Sequence, residues 1–145
     1  MTPYIETLVG STDGRRLFAE HVAILAAHEL AIPTPAVRFF IHRPAPDGWP
    51  LQAWTDERRL LGEVRQGEAA VWILADLPRD ELAVTVAHEC HHVRYHRRYG
   101  VGHYSPREMA AMETAAESFA VRFTASHTRK WRVNDDDYHR PPAAT

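Results

Sequence analysis

The chain has 145 residues, of which 45% are hydrophobic and 25% charged, and its formal net charge at pH 7 is −2. This length and apolar content predict a single domain with a substantial core. The small net charge gives no general attraction to nucleic acid or to an anionic membrane, so neither is expected as a partner. No apolar run approaches the roughly 20 residues of a membrane-spanning helix, and the N-terminus lacks a secretion-signal pattern. The single cysteine, Cys90, forms no internal disulfide, which favours a cytoplasmic location.

The first part of the chain predicts a helix and then a strand. Thr12 or Ser11 can cap a helix that continues to about Leu30, because apolar residues recur there at helical spacing. Two prolines end this helix. The segment Val37–His42 is rich in branched and aromatic residues, which favours a strand.

Two further short strands are predicted near Arg59–Val64 and Ala69–Leu74, with Gln66 and Gly67 between them. The segment Gln52–Glu57 is compatible with an additional strand or with a loop. These segments predict an α+β fold with a small mixed sheet of about three strands after the N-terminal helix.

The most informative segment follows and reads His88-Glu89-Cys90-His91-His92, which is the pattern HExxH. Two histidines four residues apart lie on nearly the same side of a helix, so their ring nitrogens can converge on one metal ion. Glu89 stands beside such an ion, where a base can take a proton from water. This spacing predicts a zinc site with Glu89 as the general base.

The residues around this motif predict a helix from Asp80 to Tyr99, which Asp76 or Asp80 can cap and which Gly100 ends. An apolar stripe at helical spacing predicts its buried face, and its members are Leu82, Val86, Cys90 and Val93. Cys90 is therefore expected to be a small buried side chain. A histidine-rich, solvent-exposed helix is the alternative interpretation.

A second helix after Ser105 is predicted to supply the third metal ligand. Ser105 and Glu108 have the spacing of a capping box, and a proline stands between them at the first helical position. Glu113 and Glu117 follow among small and apolar neighbours, where a metal or a histidine would be a suitable partner for a carboxylate. Alternatively, both glutamates point to water.

The motif and the segment Glu113–Ala120 together resemble the gluzincin metallopeptidases, in which HExxH is followed by a glutamate on a second helix. The resemblance is to the cytosolic, repressor-cleaving members as well as to membrane-embedded ones. It implies a zincin-like fold with zinc held by His88, His92 and Glu113, and Glu89 as catalytic base and acid. It also implies that Glu117 orients a ligand histidine, although the sequence leaves open whether Glu113 or Glu117 binds the metal.

The resemblance further implies where a substrate lies. In such folds the strand before the metal helix borders the cleft, so a protein or peptide substrate is expected along an open edge of Ala70–Leu74. An oxyanion needs a donor opposite the metal, and His103 or Tyr104, between the two helices, is the candidate. The oligomeric state is not predicted.

The sequence therefore predicts a zinc-dependent peptidase in which water attacks a peptide carbonyl. A regulatory or binding module that zinc stabilises, without turnover, is the alternative. The domain is expected to span residues 1–127, and residues 128–145 to form a poorly ordered tail. The acidic run Asp135–Asp137 and His139 suggest a tail that covers the site as an inhibitor.

Overall fold

The computed structural model describes residues 4–7, 14–42, 62–63, 69–100, 102–128 and 130–131. In chain order the elements are β1 (Tyr4–Thr7), α1 (Gly14–Leu30), β2 (Ala36–His42), β3 (Gly62–Glu63), β4 (Ala70–Leu74), α2 (Arg79–Tyr99) and α3 (Pro106–His127). The protein is therefore α+β, as its sequence predicts. Gln52–Glu57 and residues 132–145 lie outside the described residues.

The described strands form one mixed sheet in the order β1-β2-β4-β3. The two central strands, β2 and β4, are parallel, and β1 and β3 each add an antiparallel strand at one side. The expected count of about three strands is therefore too low, since β1 was not predicted. In β1, Tyr4 pairs with His42 and Thr7 with Phe39. A strand of only four residues forms mainly because it pairs with a neighbouring strand, so its own sequence gives little signal.

The position of β4 in the sheet corrects one expectation about the substrate. Ala70–Leu74 is not an open edge, because β4 lies between β2 and β3. Gly62 pairs with Ile73 and Glu63 with Trp72, so the outer side of β4 is covered there by β3. An extended peptide cannot add to a strand side that is already paired.

The core lies between one face of the sheet and the helices. Alternate residues of the central strands, Val37 and Phe39 in β2 and Val71 and Ile73 in β4, are at most 2% exposed and belong to this core. The helices contribute mainly small and aromatic side chains, with α1 and α2 in close contact and α3 packed on α2. Among the described residues, no helix is both long and apolar enough to cross a bilayer.

Helix α2 holds the HExxH motif rigidly, because its predicted apolar stripe is buried. Leu82, Val86 and Cys90 are 0% exposed, and Val93 is 7% exposed. The predicted cap at Asp76 or Asp80 is wrong: Pro78 is the N-cap and makes no side-chain capping bond. Asp80 lies instead in the first turn, where a negative charge stabilises the helix dipole.

The two helix ends that face each other follow their predicted signals closely. Gly100 ends α2 with φ of 86°, a conformation that residues with a Cβ rarely adopt, and its N–H donates to the carbonyl of His96. Helix α3 begins with the complete capping box, in which Ser105 Oγ accepts from the Glu108 N–H and the Glu108 carboxylate accepts from the Ser105 N–H. The end of α2 and the start of α3 are therefore both well defined, which helps to hold the two helices in one position relative to each other.

The packed chain continues past the predicted domain end at residue 127. Trp131, which was assigned to the tail, packs against the core, with its ring edge-on to Phe18 at 5.3 Å between centroids. The same ring stacks on His127 at 6.0 Å and lies 6.2 Å from Phe123. An indole with three aromatic neighbours contributes buried surface that stabilises this packing.

Trp131→Ala is expected to lower the free energy of unfolding by about 2 to 3 kcal/mol, less than a fully buried tryptophan because the residue is only half-buried. Urea unfolding followed by circular dichroism measures this change. Lys130→Ala, at the exposed neighbouring position, is the control and should change it by less than about 0.5 kcal/mol. Equal effects of the two substitutions would contradict the packing role of Trp131.

Candidate metal centre

Three side chains from two helices converge where α2 and α3 face each other. One ligand atom from each of His88, His92 and Glu113 can be chosen so that all three lie within 4.8 Å of one another. The Nε2 atoms of His88 and His92 are 3.1 Å apart, and the Glu113 carboxylate lies 3.0 Å from the first and 2.7 Å from the second. Within the described part of the chain, this is the group that could hold a metal ion.

These separations fit a tetrahedral ion. Zinc bonds of about 2.0 to 2.1 Å place neighbouring tetrahedral ligand atoms about 3.3 Å apart. The two histidine nitrogens are a few tenths of an ångström closer than this, and each also contacts a different oxygen of the Glu113 carboxylate, at 3.0 Å and 2.7 Å. Small side-chain rotations would admit the ion, and the donor set of two imidazoles and one carboxylate is one that zinc accepts.

His92 is a suitable ligand because it is held in its neutral form. Its side chain is 11% exposed, and burial lowers the pKa of His92 to about 4, although the charge of Glu113 acts in the opposite direction. An imidazole needs a free lone pair to bind a metal, so a neutral ring at pH 7 is ready to do so. The alternative of a solvent-exposed histidine helix is therefore wrong for His92.

The two glutamates of α3 have different positions relative to His88. Glu113 faces Nε2 of His88, whereas Glu117 lies 3.3 Å from Nδ1 on the other side of the ring. A carboxylate there favours the proton on Nδ1 and leaves the Nε2 lone pair for a metal. Both glutamates are more than 60% exposed, as one alternative expects, yet both contact His88.

Glu89 is placed differently from the three converging residues. It is only 7% exposed and is not part of the group that could hold a metal. Its neighbour Cys90 is fully buried, and this burial, together with the nearby charge of Glu89, raises the pKa of Cys90 to about 12. Cys90 is thus a buried neutral thiol, as the sequence predicts.

The two predicted oxyanion donors between the helices, His103 and Tyr104, do not belong to the group of converging ligand atoms. His103 is exposed and is not among the residues whose ligand atoms converge. Tyr104 donates its hydroxyl to the carbonyl of Gly100, and its ring stacks on His96 at 6.0 Å. A role for Tyr104 in catalysis therefore requires its hydroxyl to leave Gly100, and such a role for either residue stays a prediction.

Aromatic side chains follow the candidate metal ligands toward the end of α2. The rings of Tyr95 and Tyr99 are 4.6 Å apart, and Tyr104 packs edge-on against Tyr95 at 5.6 Å. Tyr95 and Tyr99 follow His92 by three and seven residues, so their shared helix face was visible in the spacing. Their contact with Tyr104 depends on the turn between the helices, which the spacing does not specify.

Comparison of this chain with protein-family models, with curated proteins and with solved structures finds no match. The geometry of the centre is therefore the basis for a functional assignment.

The metal-free protein is expected to lose stability as the pH falls below about 6.5. Burial holds the pKa of His92 near 4 in the folded chain against 6.5 for an exposed histidine, so between these values the unfolded chain binds a proton that the folded chain excludes. The contribution of His92 is complete above pH 6.5 and decreases by about 3 kcal/mol as the pH falls through 4. Urea midpoints at pH 7.5 and 4.5, with chelator present, measure this loss.

Two variants test the assignment of this loss to His92. His92→Leu removes the titrating group and should reduce the difference between the two urea midpoints. His28→Leu, at an exposed position of α1, should keep the difference of the parent. Identical pH dependence in the parent and His92→Leu would contradict the assignment.

Proposed function

We propose that this protein is a zinc-dependent peptidase of the gluzincin type, with a zincin-like fold. The observation that carries the proposal is the convergence of His88, His92 and Glu113 from two helices, with Glu89 next to the first histidine but outside the group. In this arrangement the three converging residues are the metal ligands, and Glu89 remains available for proton transfer.

Zinc bound by such residues supplies a Lewis acid that acidifies water and polarises a carbonyl group. Glu89 accepts the proton of the attacking water and afterwards donates it to the departing amine nitrogen. Glu117 orients the ring of His88 through Nδ1.

Exposure of the centre supports a substrate of polypeptide size. The Glu113 side chain is 63% exposed, so the ligand group lies at the surface. A catalytic zinc site keeps one position for water or substrate, whereas a structural site is closed by four protein ligands. Three converging side chains at an accessible surface match a catalytic site, which has three protein ligands and one open position.

The proposal is tested by loading the purified protein with zinc and assaying hydrolysis of a quenched fluorescent peptide library. Hydrolysis that disappears on chelation and returns with zinc supports the proposal. Because a peptidase of narrow specificity can fail on generic substrates, a library with varied side chains is preferable to a single protein such as casein. Hydrolysis that chelators leave unchanged would contradict the proposal of a zinc-dependent peptidase.

A second candidate function is a regulatory or binding module whose zinc is structural. The observation in its favour is that the ligands come from two helices, so a bound ion would join α2 to α3. Such a module would gain stability from zinc by mass action but would show no turnover.

A further inference from the structure

One surface of the described chain lies next to the candidate metal centre, outside its three converging residues. It is formed by Tyr95, Tyr99 and Tyr104 together with Arg98, at the end of α2 and the turn that follows, and is called here the tyrosine–arginine surface. Tyr99 is 60% exposed, and the guanidinium of Arg98 lies 5.5 Å from the centre of its ring.

This surface is held in place by its own contacts. The rings of Tyr95 and Tyr99 pack together, and Tyr104 is fixed by its hydrogen bond to Gly100 and by stacking on His96. Aromatic side chains that are already ordered lose little entropy when a ligand covers them, which is why rigid tyrosines are effective in binding sites.

The surface is continuous with the candidate centre. Tyr99 follows His92 by seven residues on the same side of α2, which corresponds to a rise of about 10 Å. An extended peptide advances about 3.3 Å per residue. A polypeptide with one peptide bond at the metal therefore reaches Tyr99 with a residue about three positions away.

The charge of the surface indicates the kind of segment it accepts. Arg98 is exposed at the C-terminal end of α2 beside Tyr99, and an exposed arginine next to an aromatic ring binds carboxylates and the faces of other rings. The effect of Arg98 on the helix dipole explains a basic residue at the helix end, but it does not require the neighbouring tyrosines.

We propose that the tyrosine–arginine surface binds an acidic segment of the polypeptide substrate that carries an aromatic side chain about three residues from the cleaved bond. The aromatic side chain packs on Tyr95 and Tyr99, and an acidic side chain faces Arg98. This inference rests on the proposed peptidase function for its substrate, and it adds the class of segment that the enzyme selects.

The test measures peptide binding and does not depend on turnover. Full-length Glu89→Gln protein, loaded with zinc, is titrated into three fluorescent nine-residue peptides, and anisotropy gives each Kd. The first peptide has a central phenylalanine flanked by aspartate and glutamate, the second replaces the acids by lysine, and the third replaces phenylalanine by serine. The first is expected to bind about tenfold more tightly than either other peptide, with an affinity that falls as salt rises.

Substitutions on the surface should weaken binding of the first peptide. Arg98→Gln is expected to raise its Kd about threefold and Tyr99→Ala about fivefold, since one exposed charge contributes less than an aromatic contact. Arg79→Gln, at the opposite end of α2, and Leu17→Ala, which is 70% exposed on α1, are the matched controls and should leave the Kd unchanged.

Equal Kd values for the three peptides, or equal losses in the controls, would overturn the inference. Deleting residues 132–145 should also leave the Kd unchanged, and a marked increase in affinity would identify the chain's own tail as the occupant instead. The peptidase assay is independent of this binding test. Selective binding without any hydrolysis would contradict the proposed peptidase function. Hydrolysis with no preference among the three peptides would contradict only the inference about the tyrosine–arginine surface.

Discussion

Glu89→Gln is expected to abolish peptide hydrolysis and to leave the zinc content of the protein unchanged. Glutamine has nearly the same shape as glutamate, but it cannot accept a proton at neutral pH, so the general base is lost. General acid–base catalysis contributes about 10² to 10⁴ in rate, and Glu89 would act in both halves of the reaction, so a decrease of at least a thousandfold in kcat/KM is expected. The fold should be retained because the substituted side chain fills the same buried space.

The matched control is Glu81→Gln, an exposed glutamate in the first turn of the same helix. It removes the same charge from α2 at a position outside the candidate centre, so kcat/KM should stay within a factor of about two. Zinc content by mass spectrometry and kinetics on one cleavable peptide are measured for both variants. Loss of zinc in Glu89→Gln would make Glu89 a ligand, and unchanged hydrolysis would remove its role as base.

The same variant separates the two candidate functions. In a peptidase, Glu89→Gln keeps the metal and loses turnover. In a zinc-stabilised module, neither the parent nor the variant hydrolyses peptides, and the stabilisation by zinc is equal in both. The comparison therefore requires unfolding curves with and without zinc as well as the peptide assay.

The parts of this fold that follow from local sequence are those that the sequence predicts best. The capping box of Ser105 and Glu108 involves residues three apart, and the ligand geometry of His88 and His92 depends only on one helical turn. Helix geometry alone brings these atoms together, so no knowledge of the remaining chain is needed. Glu113 reaches the histidines only if α3 folds back on α2, and the short connection between the two helices favours that antiparallel arrangement.

The parts that were missed depend on contacts between distant segments. The pairing of β1 with β2 joins residues as distant as Thr7 and Phe39, and β1 has no strong pattern of its own. The strands near Arg59–Val64 and Ala69–Leu74 were predicted, but their pairing, which places β4 inside the sheet, was not. Trp131 was assigned to a tail because its neighbours are polar, although a single indole finds its partners on α1 and α3.

The substitutions of the three converging residues are expected to have the largest effect on metal binding. His92→Ala and Glu113→Ala each remove one of three protein ligands, so the affinity for zinc should fall on the order of a thousandfold. Glu117→Ala removes a carboxylate that only contacts the outer nitrogen of His88, and a loss of about 10- to 100-fold is expected. Competition with a chromophoric chelator at pH 7.5 measures all of these affinities.

The contrast between Glu113→Ala and Glu117→Ala decides which glutamate is the ligand. The two side chains are equally exposed and one helical turn apart, so differences in burial or in general charge cannot explain unequal losses. Glu81→Ala is the control for removal of one negative charge and should bind zinc as the parent does. A larger loss in Glu117→Ala than in Glu113→Ala would reverse the assignment, because removing a metal ligand lowers the affinity more than removing a carboxylate that only contacts a ligand histidine. Equal affinity in all variants would remove the metal centre itself, since a site made by three side chains cannot be insensitive to the loss of one.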